Sequence, residues 1–420
     1  MTANTPTRPS RPARPIPPLP YGMAFVVVAV CGLLGATPLP EAAAETAPSK
    51  LVVPSAIGAE NVRPHIEFLA HPDRQGRQGA GLAASADYIE ARFRELKLEP
   101  LFGGSFRQTI PDGASPSGAG PAKPLGANLG AMLPGSDENL RNEFILVTAH
   151  YDHLGVRRGV VYPGADDDAS GVAMMLECAR QFAALPQRPR RTICFVAFDL
   201  EERLLYGSRW FAAHPPWDIR QVKLFITADM LGRSLGDLPL PAVFVLGSER
   251  SDAVRGILDR LEPPAELELA RIGADIVGTR SDYGPFRDYK IPFLFFSSGE
   301  HPDYHTPRDT ADKIDFAKVA RVSNVVFTIA RTAADADEAP RWQPDPPRDM
   351  EEVRTLLRVT DLVLQEDAAG KSKVPISDLQ RAFITQVNSK CRYMVKRGSI
   401  SGEERLWLAR AAQILMFSLF

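Results

Sequence analysis

The sequence predicts an α/β fold, a three-layer sandwich in which helices flank a mostly parallel mixed sheet, with a C-terminal helical appendage. Short apolar runs alternate with helical patterns from about residue 58 to residue 334, and this order is typical of parallel strands joined by crossover helices. Polar side chains follow several of the apolar runs directly. Amphipathic patterns after residue 349 predict the helices of the appendage.

The elements of the sandwich follow in order along the chain. Two amphipathic helices come first, with apolar stripes that include Ile66 and Ile89. Five buried strands are predicted from short runs rich in β-branched and aromatic residues, at positions 143–148, 191–198, 223–227, 242–246 and 292–296. Together these elements make up a main domain that we predict to span residues 45–335.

The first 44 residues have the pattern of a signal peptide. Three arginines precede an apolar run over residues 23–36, and a run of small residues ends at Ala44. The apolar run is shorter than the ~20 residues that span a bilayer. We therefore predict export to the periplasm or the medium, with no stable membrane insertion after signal cleavage. A signal that is not cleaved would instead serve as an N-terminal membrane anchor.

The C-terminal part of the chain has its own composition. Residues 336–348 are polar and rich in proline, which predicts a linker. Residues 349–420 then form the predicted helical extension, whose last helix is introduced by Ser401 with Glu404 three residues later, the pattern of a capping box. Its apolar end is predicted to dock on the main domain and not to enter a membrane.

The charge balance and the cysteines exclude some classes of function. The chain has 49 basic and 51 acidic residues, a formal charge of −2, so nothing favours a polyanionic partner and we predict no nucleic-acid binding. Cys31 lies in the predicted signal peptide, and the three cysteines that remain are too few for a disulfide framework.

Polar side chains gather where four of the predicted strands end. They are His150 and Asp152 after the first strand, Glu201 and Glu202 after the second, Asp229 after the third, and the loop from His301 to His305 after the last. In open α/β sheets, ligands bind outside the carboxyl ends of the strands. The repeated placement of these residues therefore predicts a functional site at that edge of the sheet.

Two imidazoles and several carboxylates, including the triplet at 166–168, are a nitrogen and oxygen donor set that suits zinc. Such a set can hold two ions about 3.5–4 Å apart, bridged by one carboxylate, with a water between them. Each motif alone has a common structural explanation, since aspartates often cap helices and glutamate pairs often lie on solvated faces. Their joint order along the strand ends favours the metal site.

The ordered motifs resemble the family of co-catalytic di-zinc aminopeptidases, typified by secreted bacterial leucine aminopeptidases and related to the glutaminyl cyclases. The resemblance runs from about residue 58 to residue 335. It is carried by GRQG from Gly76, AHYDHLG from Ala149, PGADDDASG from Pro163, FVAFDLEE ending at Glu202, ADMLG from Ala228, SDYGPF from Ser281 and HPDYHTPRDT from His301. It implies that residues 45–335 form a di-zinc metallopeptidase domain.

The resemblance also implies a role for individual residues. Asp167 would bridge two zinc ions, His150 and Asp229 would complete one site, and Glu202 and His305 the other. Glu201 would be the general base that acts on a metal-bridged water, and Tyr304 would stabilise the oxyanion. Asp152 would fix the tautomer of His150, and Asp309 is assigned to the same outer layer around the ligands. The implied substrates are peptides with a free N-terminus.

Two positions depart from the family pattern. Leu204 stands where the family usually has glycine, and Tyr283 where it usually has histidine. Neither is an implied ligand, so both bear on substrate selection. We predict Tyr283, His153 and His301 as residues of the substrate pocket.

Other classes of function remain as alternatives. A glutaminyl-cyclase-like aminoacyltransferase shares the fold and many of the motifs but would work with one zinc ion. A non-catalytic binding protein on the same scaffold would be expected to have lost ligands, whereas this chain keeps all five and Glu201. A serine hydrolase is disfavoured because the one GxSxG string, at 232–236, runs into a proline-containing segment where a nucleophile elbow requires a helix.

Overall fold

A nine-stranded mixed sheet is the centre of the computed structural model, which describes residues 49–112, 124–371 and 376–419. The predicted signal peptide, residues 1–44, lies outside the described residues. The strands of the described residues are β1 (Leu51–Val52), β2 (Glu99–Pro100), β3 (Arg107–Ile110), β4 (Gly126–Leu133), β5 (Phe144–His150), β6 (Val156–Arg157), β7 (Val160–Val161), β8 (Thr192–Phe198), β9 (Val222–Ala228), β10 (Ala242–Leu246), β11 (Leu261–Glu262), β12 (Glu268–Ile272) and β13 (Phe293–Ser297). Two pairs, β1 with β11 and β6 with β7, lie outside the nine-stranded sheet.

Helices cover the sheet on both faces, as the sandwich prediction requires. They are α1 (Ala59–Leu69), α2 (Gly79–Glu95), α3 (Gly171–Ala183), α4 (Tyr206–Ala213), α5 (Asp252–Arg260), α6 (Ala274–Val277), α7 (Tyr283–Asp288), α8 (Phe316–Asp335), α9 (Met350–Ala368), α10 (Asp378–Arg397) and α11 (Gly402–Leu419). Among the described residues, none of these helices is both long and apolar enough to cross a membrane.

The strand order of the large sheet is β12-β10-β13-β9-β5-β8-β4-β2, and β3 also pairs with β4. The four central strands β13, β9, β5 and β8 are parallel to one another, so their carboxyl ends lie at one edge. Antiparallel pairs flank them, β10 with β13 on one side and β4 with β8 on the other. The fold class predicted from the sequence is confirmed.

Alternate residues of the central strands belong to two separate hydrophobic cores, one on each face of the sheet. In β5, Ile145 and Val147 pack into the core with α1, α3 and α8, whereas Phe144 and Leu146 pack into the core on the opposite face. Because both faces are buried, these strands read as continuous apolar runs, which is why the sequence predicted them to within two residues.

The C-terminal helices complete the second helical layer. Val353 and Leu356 of α9, Ile384 of α10 and Leu408 of α11 are buried in the same core as strands β10 and β13. The hydroxyl of Thr355 donates to the carbonyl oxygen of Arg271 in β12 at 3.0 Å, which ties α9 to the edge of the sheet. The predicted appendage is therefore observed as helices that share a core with the sheet.

Candidate active site

The predicted ligands converge at the carboxyl edge of the four parallel strands. His150 ends β5, Glu201 and Glu202 lie three and four residues after the end of β8, Asp229 directly follows β9, and the loop with Tyr304 and His305 follows β13. Since these strands are neighbours in the sheet, residues distant in the chain are brought side by side.

Asp167 lies between two histidines and presents a different oxygen to each. The Nε2 atom of His150 is 3.2 Å from Asp167 Oδ1 and 3.7 Å from Asp229 Oδ1. The Nε2 atom of His305 is 3.1 Å from Asp167 Oδ2 and 3.4 Å from Glu202 Oε2. The five predicted ligands thus form two groups that share the Asp167 carboxylate.

These distances fit tetrahedral zinc. Zinc bonds to nitrogen and oxygen of about 2.0–2.2 Å place two ligand atoms of one tetrahedron about 3.3–3.6 Å apart. The four distances above, 3.1–3.7 Å, straddle that range. The residues present therefore suit two ions, one in each group.

The electrostatics of the groups favour positive charge. Burial alone would raise the pKa of the Asp167 carboxyl, but the imidazoles of His153, His150 and His305 outweigh it and hold that pKa well below its usual range. Burial works against a charged His305, yet hydrogen bonds to Asp167 and Glu202 raise its pKa to about 10. Cations bound at this edge would neutralise the negative charge of the buried carboxylates.

The aspartate triplet lies in an irregular turn, Ala165–Ser170, directly before α3. Gly164 enters this turn with φ of 61°, and a Cβ there would lie 2.1 Å from the carbonyl oxygen of Asp167, so only glycine fits. The carboxylate of Asp309 accepts hydrogen bonds from the backbone N–H groups of Asp166 and Asp167 at 3.0 and 3.1 Å. Asp309 thereby holds the turn that presents the shared carboxylate.

Asp168 also comes close to the first group, since donor atoms of His150, Asp168 and Asp229 all lie within 4.8 Å of one another. Its two oxygens, however, accept backbone N–H bonds, from His150 at 3.2 Å and from Gly171 at 2.9 Å. Asp167 instead directs its oxygens at the imidazoles. This difference supports Asp167 as the shared ligand.

Asp152 contacts more of the site than the sequence predicted. Its Oδ1 is 3.6 Å from Nδ1 of His150, the side opposite the shared carboxylate. Its oxygens also accept the backbone N–H of Glu201 at 3.0 Å and of Glu202 at 3.3 Å. One carboxylate therefore contacts three of the site residues.

Glu201 and Tyr304 lie at the ligand groups without being part of them. Burial raises the pKa of the Glu201 carboxyl well above its usual range, with His150 opposing and Asp282 adding to the shift. The Tyr304 ring stacks on His305 with centroids 3.9 Å apart. Burial, with the charge of Asp167 nearby, raises the pKa of the Tyr304 phenol, so the hydroxyl stays protonated and can donate.

Arg77, from the GRQG motif, was not predicted as a site residue, but its side chain supports the turn that carries the aspartate triplet. Its guanidinium is fully buried and donates to the carbonyl oxygens of Leu69, Pro163 and Asp167, the last at 2.7 Å. The motif was visible in the sequence, but only the tertiary contact shows what its arginine binds.

Arg77→Met is expected to lower the free energy of unfolding by about 3 kcal/mol, because it leaves three buried carbonyl groups without their donor. Urea denaturation of the two proteins measures the difference. Arg188→Met, at an exposed arginine, is the matched control and should stay within about 0.5 kcal/mol of the unmodified chain. A change that small for Arg77→Met would contradict the supporting role.

Two of the three residues predicted for the substrate pocket, Tyr283 and His301, are buried in the protein. Tyr283 is fully buried, stacks on Phe293 with centroids 5.0 Å apart and donates its hydroxyl to the Gly278 carbonyl, so it is a core residue. His301 is buried behind the triplet, with Nε2 3.5 Å from Asp166 Oδ2. Both side chains turn into the protein, a direction that the sequence does not show, and their assignment to a substrate pocket stays a prediction.

His153 lies on the inner side of the second ligand group, and its assignment to a substrate pocket stays a prediction. It is fully buried, with Nδ1 2.9 Å from Glu202 Oε1 and 3.7 Å from Asp167 Oδ2. The donor atoms of His153, Asp167 and Glu202 lie within 4.8 Å of one another. The sequence missed this contact because AHYDHLG contains two histidines and does not show that both face the same carboxylates.

Comparison with known proteins shows a similarity to one peptidase family. The sequence model described as peptidase family M28 matches residues 128–330. The endoplasmic reticulum metallopeptidase 1 of Rattus norvegicus is 27% identical over 199 residues, covering 46% of this chain and 21% of the relative. Aminopeptidase YwaD of Bacillus subtilis is 27% identical over 214 residues, covering 47% of this chain and 43% of the relative. The chain thus spans less than half the length of either protein.

Solved structures share the fold. The LapA aminopeptidase of Legionella pneumophila matches with a TM-score of 0.51 and 21% identity over 67% of this chain and 71% of that chain. The glutaminyl cyclase of Porphyromonas gingivalis matches with a TM-score of 0.51 and 19% identity over 67% of this chain and 98% of that chain. The family match contains every predicted metal ligand, so the resemblance predicted from the ordered motifs is confirmed for residues 128–330, which are similar to peptidase family M28.

Proposed function

We propose that this chain is an exported zinc-dependent aminopeptidase that removes N-terminal residues from peptides. The observation that carries the proposal is the Asp167 carboxylate, which offers one oxygen to His150 and the other to His305 at distances that match tetrahedral zinc. The family match supports a peptidase, and the signal-peptide pattern supports export. Residues 45–335 are proposed as the peptidase domain, followed by a linker at 336–348 and the helical extension at 349–420.

Two zinc ions are proposed as the cofactor. His150, Asp167 and Asp229 would hold one ion, and Asp167, Glu202 and His305 the other. Bound zinc supplies the acidity that makes water a nucleophile near neutral pH and the positive charge that polarises a peptide carbonyl.

The protein's own groups move the proton and stabilise the charge. Glu201 accepts a proton from the attacking water and returns it to the nitrogen of the departing peptide, so that one water is consumed for each peptide bond broken. The Tyr304 hydroxyl donates a hydrogen bond to the carbonyl oxygen as that oxygen gains negative charge. Asp152 holds His150 and the backbone of Glu201 in register for these steps.

We further propose that His153 supports the second ion through Glu202. His153→Ala is expected to weaken zinc binding at that group roughly 10–100-fold, because Glu202 loses the imidazole that orients it. Competition with a chelating dye measures the zinc affinity of each of the two ligand groups. His214→Ala, at an exposed histidine, is the control and should leave both affinities unchanged; equal affinities for His153→Ala and the unmodified chain would remove the assignment.

The alternative function is a single-zinc aminoacyltransferase of the glutaminyl cyclase type, which the shared fold keeps open. The two ligand groups on one carboxylate favour hydrolysis with two ions.

A panel of aminoacyl p-nitroanilides with N-blocked controls, together with zinc analysis, tests the proposal. We expect cleavage of free aminoacyl substrates only. Equal cleavage of blocked substrates, or ring-closed product from an N-terminal glutamine peptide, would contradict it. No turnover of any substrate would favour the binding-protein alternative.

A further inference from the structure

A small two-stranded hairpin projects from the protein surface. It consists of β6 and β7, joined by Arg158 and Gly159. Residues 156–160 are all exposed, whereas Gly155 before them and Pro163 after them are buried. The hairpin therefore stands clear of the packed part of the domain.

Both ends of the hairpin are held at the proposed reaction centre. His153, whose Nδ1 lies 2.9 Å from Glu202 Oε1, comes three residues before β6. Gly164, which enters the aspartate turn, comes three residues after β7. The N–H of Gly155 donates to the carbonyl oxygen of Gly76 in the GRQG motif at 2.9 Å. The hairpin is therefore part of the rim of the site.

The hairpin carries two positive charges that no nearby acidic residue in the chain balances. Residues 153–165 include Arg157 and Arg158 but no aspartate or glutamate. The Arg157 guanidinium lies over the ring of Tyr162, 5.3 Å from its centre, and neither arginine has an ion-pair partner among the described residues. A guanidinium that contacts a ring through its face keeps the N–H groups at its edge free to bind a carboxylate.

The turn of the hairpin has a backbone conformation that arginine rarely adopts. The φ angle is 52° at Arg158 and 78° at Gly159, as in a type I′ turn. The first position of such a turn favours asparagine, aspartate or glycine, because most side chains are strained in the left-handed region. Arginine is thus present at a position where another residue would make a more stable turn, and residues of this kind cluster at functional sites.

We propose that Arg157 and Arg158 bind a carboxylate of the peptide substrate, on the departing side of the bond that is cleaved. The proposal rests on the proposed aminopeptidase function and names a feature of its substrates. The carboxylate is either the C-terminus of a short peptide or an acidic side chain of a longer one.

The position of the hairpin decides which part of the substrate reaches it. An aminopeptidase substrate has only one residue before the reacting bond, so a contact farther away involves the departing peptide. Arg157 and Arg158 follow His153 by four and five residues, so at about 3.5 Å per residue their Cα atoms lie within about 14 and 18 Å of it. An extended peptide covers such distances in about three to five residues. We therefore expect the carboxylate three to five residues after the cleaved bond.

An anionic membrane is the other partner that a basic hairpin could meet. Val156 and Val160 are exposed apolar side chains beside the arginines. Segments that bind anionic lipids, however, contain clusters of about four to eight basic residues. Two arginines suffice for one carboxylate, because a single guanidinium can donate two parallel hydrogen bonds to it. The hairpin therefore suits a peptide carboxylate better than a lipid surface.

The test compares kcat/KM, from the initial release of leucine, for two matched pairs of peptides. The first pair is Leu-Ala-Ala-Ala with a free C-terminus and the same peptide as its C-terminal amide. The second pair is Leu-Ala-Ala-Glu-Ala amide and the same peptide with glutamine in place of glutamate. In at least one pair the charged peptide is expected to be favoured by roughly 3–10-fold at low salt. That ratio should approach one at about 1 M NaCl, where the Debye length is about 3 Å.

The double variant Arg157→Gln/Arg158→Asn is expected to bring the ratio to about one at low salt. Asparagine suits the first position of a type I′ turn, so the hairpin should keep its conformation. Arg188→Gln removes the same kind of charge from an exposed side chain near the start of β8, at the opposite edge of the sheet, and should keep the unmodified ratio. Each ratio is measured on one preparation and does not depend on its active fraction. Thermal unfolding establishes that the variants are folded.

The outcomes separate the two proposals. No release of leucine from any peptide or from leucine p-nitroanilide overturns the proposed function and this proposal with it. Release of leucine with ratios near one in both pairs overturns the hairpin proposal alone, and so does an unchanged ratio in the folded double variant. A ratio above one in only the first or only the second pair assigns the site to the C-terminal carboxylate or to the acidic side chain. Binding to phosphatidylglycerol vesicles that the double variant loses, with no change in either ratio, would make the hairpin a membrane contact and overturn the proposal.

Discussion

Glu201→Gln is expected to lower kcat for leucine p-nitroanilide by roughly 10²–10⁴-fold while the zinc content stays the same. Glutamine keeps the size of the side chain but cannot accept the proton of the attacking water. The backbone N–H of Glu201 still donates to Asp152, so the arrangement of the ligands is preserved. Steady-state kinetics and metal analysis on the same preparation measure both quantities.

Glu202→Gln is the matched comparison, because it makes the same chemical change at the adjacent residue. Glu202 lies 3.4 Å from Nε2 of His305 and is the proposed ligand, so its variant should lose zinc as well as activity. The account of the two glutamates would be contradicted if Glu201→Gln turned over substrate within a few fold of the unmodified enzyme, or if it lost zinc and Glu202→Gln did not.

Asp167→Asn is expected to remove zinc from both groups, since each of them includes one Asp167 oxygen. Asparagine offers one neutral oxygen in place of two charged ones, so it cannot bind both zinc ions. Activity should fall by at least about 10³-fold, because hydrolysis at neutral pH depends on the bound ions. Metal analysis after dialysis, compared with kcat/KM, measures the effect.

The control for this change is Asp378→Asn, at a fully exposed carboxyl at the start of α10. It should retain the zinc content and the rate of the unmodified chain. An Asp167→Asn protein that still held two equivalents of zinc would show that another carboxylate is shared, and Asp168 would be the first to examine.

The sheet and the grouping of the ligands could be predicted from the sequence for a simple reason. Strands buried on both faces, such as β5 and β8, are continuous apolar runs that end abruptly at polar residues. The carboxyl ends of parallel neighbours meet at one edge. Residues that follow such strands within a few positions, including Glu202 and Asp229, are therefore brought together by the topology itself.

What the sequence could not predict depends on side-chain direction and on distant contacts. His301 and Tyr283 were placed in a pocket because they lie in motifs near the ligands, yet both turn into the protein. The role of Arg77 depends on a carbonyl 90 residues away in the chain. The buried apolar residues of α9 and α11 share a core with the sheet, a packing that amphipathic periodicity alone does not specify.

The most direct test of the account is the titration of metal-free protein with zinc while the hydrolysis of leucine p-nitroanilide is followed. The account predicts that activity rises to a plateau at two equivalents of zinc per chain, because Asp167 serves two ligand groups. Full activity at one equivalent, with no further change on adding the second, would contradict it.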